Sequence, residues 1–191
     1  QDNIGAIHPC PHIVSYYGSW ANREANTVSM VLEYMHGGSL AGLTQPIRSE
    51  PLLWFILDAC LRALVHLQTH EILHRDIKPG NILVNCDGDV KLGDLGLARH
   101  HAVETSGEGT RLYLAPERVE GKSYSFSSDI WSLGITLVTI AMGCHPFGAG
   151  SRAGKHEASC PDRSITEPQF FDLVDAIVNQ PSPGLPTGGI R

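Results

Sequence analysis

Within residues 50–70 the apolar residues Leu53, Ile56, Leu57, Cys60, Leu61, Leu64 and Leu67 recur three and four positions apart. That spacing puts them on one stripe of an α-helix and predicts a long, half-buried helix with Ser49 as its N-cap. Such a stripe must be covered, and the flanking segments read as strands. Upstream, the apolar runs 13–17 and 28–34 are separated by a polar turn containing Asn22, Arg23, Glu24 and Asn26, which suits a β-hairpin. Downstream, residues 82–84 and 90–92 flank Asn85-Cys86-Asp87-Gly88-Asp89, where Asp-Gly can supply the positive φ angles of a tight turn.

A second, very apolar helix is predicted over residues 128–141, with Ser127 or Ser128 as cap and Asp129 in its first turn, where a negative charge favours the helix dipole. The related stretch 130–144 is too short for a bilayer span, which needs roughly 18 apolar residues, so a buried core helix is expected. Residues 100–109 and 148–165 are polar and aperiodic and read as loops. Thr166-Glu167-Pro168 then opens an amphipathic helix through Phe170, Leu173, Val174, Ile177 and Val178. Strands and helices in this order give an α+β class, and 191 residues with 42% apolar content can bury one substantial core. A net charge of -6 gives no electrostatic reason to bind nucleic acid, and no membrane partner is expected. The five cysteines are odd in number, widely spaced and without a CxxC pair, as reduced intracellular thiols would be.

Chemistry concentrates around the second hairpin, bracketed by His74-Arg75-Asp76-Ile77-Lys78-Pro79-Gly80-Asn81 and Asp94-Leu95-Gly96. Phosphoryl transfer from a nucleotide to a hydroxyl needs a carboxylate to orient that hydroxyl and oxygen ligands to hold Mg2+ against the phosphates. Asp76, Asn81 and Asp94 are groups of that kind. A hairpin joining Asn81 to Asp94 lets both reach one metal site from the two ends of a rigid support.

The first string resembles the protein-kinase catalytic loop H-R-D-x-x-x-x-N, and Asp94-Leu95-Gly96 resembles the metal-binding D-F-G; Ala115-Pro116-Glu117 follows in the expected order. The resemblance runs from about His8 to Leu185. It implies a protein kinase-like fold, mainly the helical C-lobe (36–191, truncated) with the end of the N-lobe and the hinge in 1–35. It further implies ATP and Mg2+ as cofactors, Asp76 as catalytic base, Lys78 on the γ-phosphate, and Asn81 and Asp94 on the metal. Glu33-Tyr34-Met35 resembles the hinge that pairs its backbone with adenine, with Leu32 as gatekeeper, Ser39 after the hinge and Leu83 below the purine. Lys78 together with Thr110, the latter positioning substrate, is the serine/threonine pattern.

Gly37-Gly38-Ser39-Leu40 and the run 109–118 look like MAP kinase kinases, although leucine in Asp94-Leu95-Gly96 also occurs in NIMA-related kinases. The implied partners are a MAP kinase-like protein substrate and an upstream activating kinase, in the cytoplasm. Arg75 beside Asp76 suggests control by an activation-loop phosphate, on Ser106 or on Thr105. The position four before Ser106 is Ala102, which cannot accept a phosphate, so the paired phosphosites usual in that group are not matched.

Other features have plainer readings. His8, Cys10 and His12 could mimic a metal cluster but suit a strand lead-in; His100-His101 could be a ligand pair but suit a solvated loop. Asp129 could be a helix-end charge or the brace of the catalytic loop. Tyr16, His74 and Leu95 would line up as a hydrophobic spine or serve as core. No glycine-rich phosphate loop or lysine-bearing strand precedes His8, and Glu117 has only Arg191 as a downstream arginine, so the chain reads as an internal fragment with little activity of its own. The alternative function is a truncated, non-catalytic kinase-like binding module.

Overall fold

The apolar stripe of the first long helix is covered by a small sheet and by the second long helix. The computed structural model describes residues 9–95, 99–100 and 111–147, together with 175, 177–179 and 183. In chain order the elements are β1 (Tyr16–Asn22), β2 (Thr27–Leu32), β3 (Gly38–Ser39), α1 (Glu50–Thr69), β4 (Ile72–Leu73), β5 (Ile82–Val84), β6 (Val90–Leu92), β7 (Arg99–His100), α2 (Pro116–Val119) and α3 (Phe126–Met142). Short 3-10 turns occur at Leu40–Gly42, Pro79–Asn81 and Arg111–Tyr113.

Helix α1 buries Leu53, Ile56, Ala59, Cys60, Ala63, Leu64 and Leu67, while the predicted Leu57 and Leu61 lie at the edge of the same stripe. Helix α1 packs on β4, β6 and α3. By length and composition α1 could cross a bilayer, but its stripe instead enters one core with Ile13, Ile77, Ile82, Leu92 and Leu133. Ser49 occupies the N-cap position without a side-chain bond, and Pro51 sits in the first turn, where its missing N–H costs nothing.

Three strands form an antiparallel sheet in the order β3-β5-β6, while β1 and β2 form a separate hairpin and β4 pairs with β7. The first hairpin is shifted from its predicted bounds. Ile13 makes a parallel bridge to Leu92, Val14 N–H donates to the Leu92 carbonyl, and Leu92 N–H donates to the His12 carbonyl. The apolar run at 13 therefore serves the site hairpin, and β1 starts only at Tyr16. Cys10 is buried in the core beside this lead-in, and His8 lies outside the described residues.

The turn between β5 and β6 also differs from expectation, since Gly88 alone takes a positive φ, at 87°. The Asn85 side chain does the rest: its Oδ1 accepts from the N–H groups of Asp87 and Asp89, and its Nδ2 donates to Asp89 Oδ2. Helix α3 begins earlier than predicted, with Ser125 as N-cap in extended conformation. Ser128, expected as a cap, instead lies inside the first turn and accepts from Ser125 N–H. Residues 175 and 177–179 are helical and Ile177 is buried; the remainder of the predicted amphipathic helix lies outside the described residues.

Candidate active site

The loop between β4 and β5 carries Asp76, Lys78 and Asn81, and its shape is set by a buried carboxylate far away in sequence. Asp129, 1% exposed in the first turn of α3, accepts from His74 N–H and Arg75 N–H at 2.9 Å each and from the Tyr124 hydroxyl. Buried charge persists only with such donors, so the bonds fix both the helix end and the loop. Arg75 is thereby held at φ 71°, a strained value for a residue with a Cβ. Of the two readings of Asp129, this geometry is that of a brace.

His74 is fully buried. Its Nε2–H donates to the Gly93 carbonyl at 3.0 Å, and its Nδ1 accepts from Asp76 N–H at 3.3 Å, so the imidazole is neutral with the proton on Nε2. Burial pushes its pKa below the ordinary value, against the pull of Asp129, the Gly93 carbonyl, Asp76 and Asp94. The ring thus ties the loop to the strand end that carries Asp94. The same strand end is tied to Asn81, whose carbonyl accepts from Gly93 N–H at 2.8 Å. A Cβ at Gly93 would lie 2.5 Å from Leu83 Cδ1, so any larger residue there would have to push that side chain aside. Asn81 and Asp94 flank the open end of the hairpin, the first directly before β5 and the second two residues after β6, with Asp94 exposed and at φ 55°.

Within this frame Asp76, 8% exposed, receives Lys78 Nζ at 2.7 Å and Asn81 Nδ2 at 2.9 Å, both on Oδ2; Asn81 Nδ2 also donates to the Asp76 carbonyl. With the Asn81 amide nitrogen committed to Asp76, its oxygen is the atom left to face a cation. An amide oxygen beside an exposed carboxylate is the hard-oxygen set that suits Mg2+, so the residues fit that ion.

The residues expected around adenine lie on β2, β3 and β5 and in the segment between β2 and β3. Met35 is buried and its carbonyl accepts from Gly38 N–H; Gly37 N–H donates to the Val84 carbonyl, which anchors the segment after β2 to β5. Ser39 and Leu83 are paired across β3 and β5 and are half-buried, whereas Leu32 is 48% exposed. Glu33 exchanges two bonds with Ser15, accepting from its N–H and donating its own N–H to its carbonyl, and forms an ion pair with Lys91. Burial opposes ionisation of Glu33, but hydrogen bonds from Lys91 and Ser15 outweigh it and hold the carboxyl below its ordinary pKa.

Arg75 and Arg118 both lie over the Tyr124 ring, at 5.7 and 4.7 Å from its centroid. Glu117 accepts from the Ser128 hydroxyl and so has a partner that a search for arginines overlooks. Tyr16 and Leu95 are half-buried. Thr105, Ser106, Thr110 and His101 lie outside the described residues. Sequence reasoning missed Tyr124 and Lys91 and read Ser128 only as a possible helix cap; Tyr124 and Ser128 lie just before and within a predicted helix, and nothing in their spacing signals these partners.

A family model described as protein kinase domain matches residues 3–180. Among curated relatives, a dual specificity mitogen-activated protein kinase kinase of Drosophila melanogaster is 38% identical over 95% of the chain and 49% of its own length. A second, of Caenorhabditis elegans, is 36% identical over 96% of the chain and 53% of its own length. A mitogen-activated protein kinase kinase of Pyricularia oryzae is 38% identical, covering 94% and 43%. The chain spans about half the length of these relatives.

Proposed function

The chain belongs to the protein kinase family, and from that premise we propose that the protein containing it transfers the γ-phosphoryl group of ATP to serine or threonine hydroxyls of protein substrates in a MAP kinase kinase-like role. Residues 1–35 are the end of the smaller lobe and the hinge, and 36–191 belong to the larger lobe. The observation that carries the reading is the convergence of Lys78 and Asn81 on one carboxylate oxygen of Asp76, with Asn81 also bonded through its carbonyl to Gly93, the neighbour of Asp94.

Asp76 orients the substrate hydroxyl and accepts its proton, a contribution typically of about 10² to 10⁴ in rate. Lys78 bridges from Asp76 toward the transferring phosphoryl group and balances its charge. Asn81 and Asp94 would hold Mg2+, which when bound neutralises phosphate charge. Leu32, Glu33, Met35, Ser39 and Leu83 bind the purine and ribose side of the nucleotide, and Thr110 positions substrate. Arg75 receives a phosphate on Ser106 or Thr105, placed by an upstream kinase. The substrate is a MAP kinase-like protein, in keeping with the names of the relatives, and the site of action is the cytoplasm.

The test is transfer from labelled ATP by the full-length protein, after treatment with an upstream kinase, to a MAP kinase-like substrate. Asp76→Asn is expected to lower kcat by about 10²-fold or more. Equal turnover in wild type and variant removes Asp76 from the chemistry. No transfer by either, with the fold intact, favours the non-catalytic binding module.

A further inference from the structure

Of the residues assigned above to the nucleotide, Glu33 bonds to and Leu83 is paired with a lysine that no motif singles out. Lys91 lies in the middle of β6, between the buried Val90 and Leu92, so strand alternation turns it to the opposite face. Its cross-strand partner is Leu83, and the partner of Leu83 on the other side is Ser39. Directly paired residues of antiparallel strands share a face, so Ser39, Leu83 and Lys91 form one row across the sheet. From that row the ammonium reaches Glu33, 58 residues earlier, with Nζ to Oε1 at 2.6 Å.

The pair is largely withdrawn from water, with Lys91 12% and Glu33 18% exposed. The Glu33 carboxylate is also bonded to Ser15 N–H through its other oxygen. The ion pair thus joins the segment after β2 to the strand that leads into Gly93-Asp94, and the Ser15 bond adds the lead-in to β1. We propose that Lys91 is a positioning residue for the nucleotide: by clamping Glu33 it sets the distance between the adenine-binding segment and the strand that presents Asp94. Lys91 itself touches neither the reacting atoms nor the metal. Its loss leaves Glu33 withdrawn from water without its cation, and the segment relaxes away from β6. The adenine end of the nucleotide is then held less well while Asp76, Lys78 and Asn81 keep their own bonds. This inference rests on the kinase reading above.

The experiment is steady-state phosphotransfer and fluorescent-ADP binding by the full-length protein as wild type, Lys91→Met and Lys91→Arg. Lys91→Met is expected to raise KM for ATP and the Kd of the fluorescent ADP by about three- to tenfold, with kcat within about twofold of wild type. Lys91→Arg, which keeps the charge, recovers most of that loss. A purely structural salt bridge would lower the melting temperature without this KM-specific loss. Nucleotide affinity unchanged in a folded Lys91→Met variant overturns the clamp. Weaker nucleotide binding by the variant, in a protein that transfers no phosphate even as wild type, keeps the clamp and overturns the kinase reading. Absence of nucleotide binding by the wild type overturns both.

Discussion

Asp76 and Asn81 sit on a loop whose backbone is fixed from a distance, by the Asp129 carboxylate accepting from His74 N–H and Arg75 N–H. What orients them was legible only in part. Asp129 could be expected to brace the loop, but the phenol that completes its shell could not, since Tyr124 precedes α3 in a segment without periodicity. Tyr124 is buried and donates to Asp129, while its ring lies beneath two guanidinium groups. Tyr124→Phe keeps the ring and removes only the hydroxyl, leaving a buried carboxylate one donor short. The expected cost is about 1–3 kcal/mol of stability, the penalty for an under-satisfied buried polar group, measured as a lower urea midpoint at unchanged slope. A midpoint equal to wild type would show that Asp129 is satisfied by the His74 and Arg75 amides alone.

At the scale of elements, periodicity located α1 and both hairpins, while their ends went astray for identifiable reasons. Helix α3 starts at Phe126 because Ser125 is extended and its N–H reaches Ser128; three serines in four positions left the cap ambiguous. The lead-in at 13 looked like part of the first hairpin because an apolar run does not disclose its partner, and Leu92 is far away in sequence. The β5–β6 turn depends on Asn85 more than on Asp-Gly. Asn85 makes three side-chain bonds within the turn, all exposed, so water replaces part of what is lost on truncation. Asn85→Ala is expected to destabilise by about 1 kcal/mol, read from thermal or urea unfolding. Because Asn81 and Asp94 sit at the far, open end of this hairpin, the same variant should leave nucleotide affinity nearly unchanged. A large affinity loss would mean that the turn sets the geometry of the open end.

At the scale of the molecule, the α+β class followed from the order of patterns, but the division of apolar surface between core and exterior did not. The first hairpin is apolar on both faces. Trp20 and Val31 lie on one and Val28 and Met30 on the other by strand alternation, and all four are more than 40% exposed: 58%, 41%, 69% and 59%. A two-stranded hairpin has no second layer of its own and is marginal in water. Its outer strands also offer backbone donors and acceptors to another chain. This surface is therefore expected to drive self-association of the 191-residue chain in solution. Sedimentation velocity should show concentration-dependent self-association together with binding of a hydrophobic dye. Val28→Thr with Met30→Lys adds charge and polarity to one face while keeping strand-compatible residues, and should reduce both signals several-fold. If association persists unchanged, the contact surface lies elsewhere, and the exposed Leu52, Trp54, Phe55 and Val65 of α1 become its best-supported location.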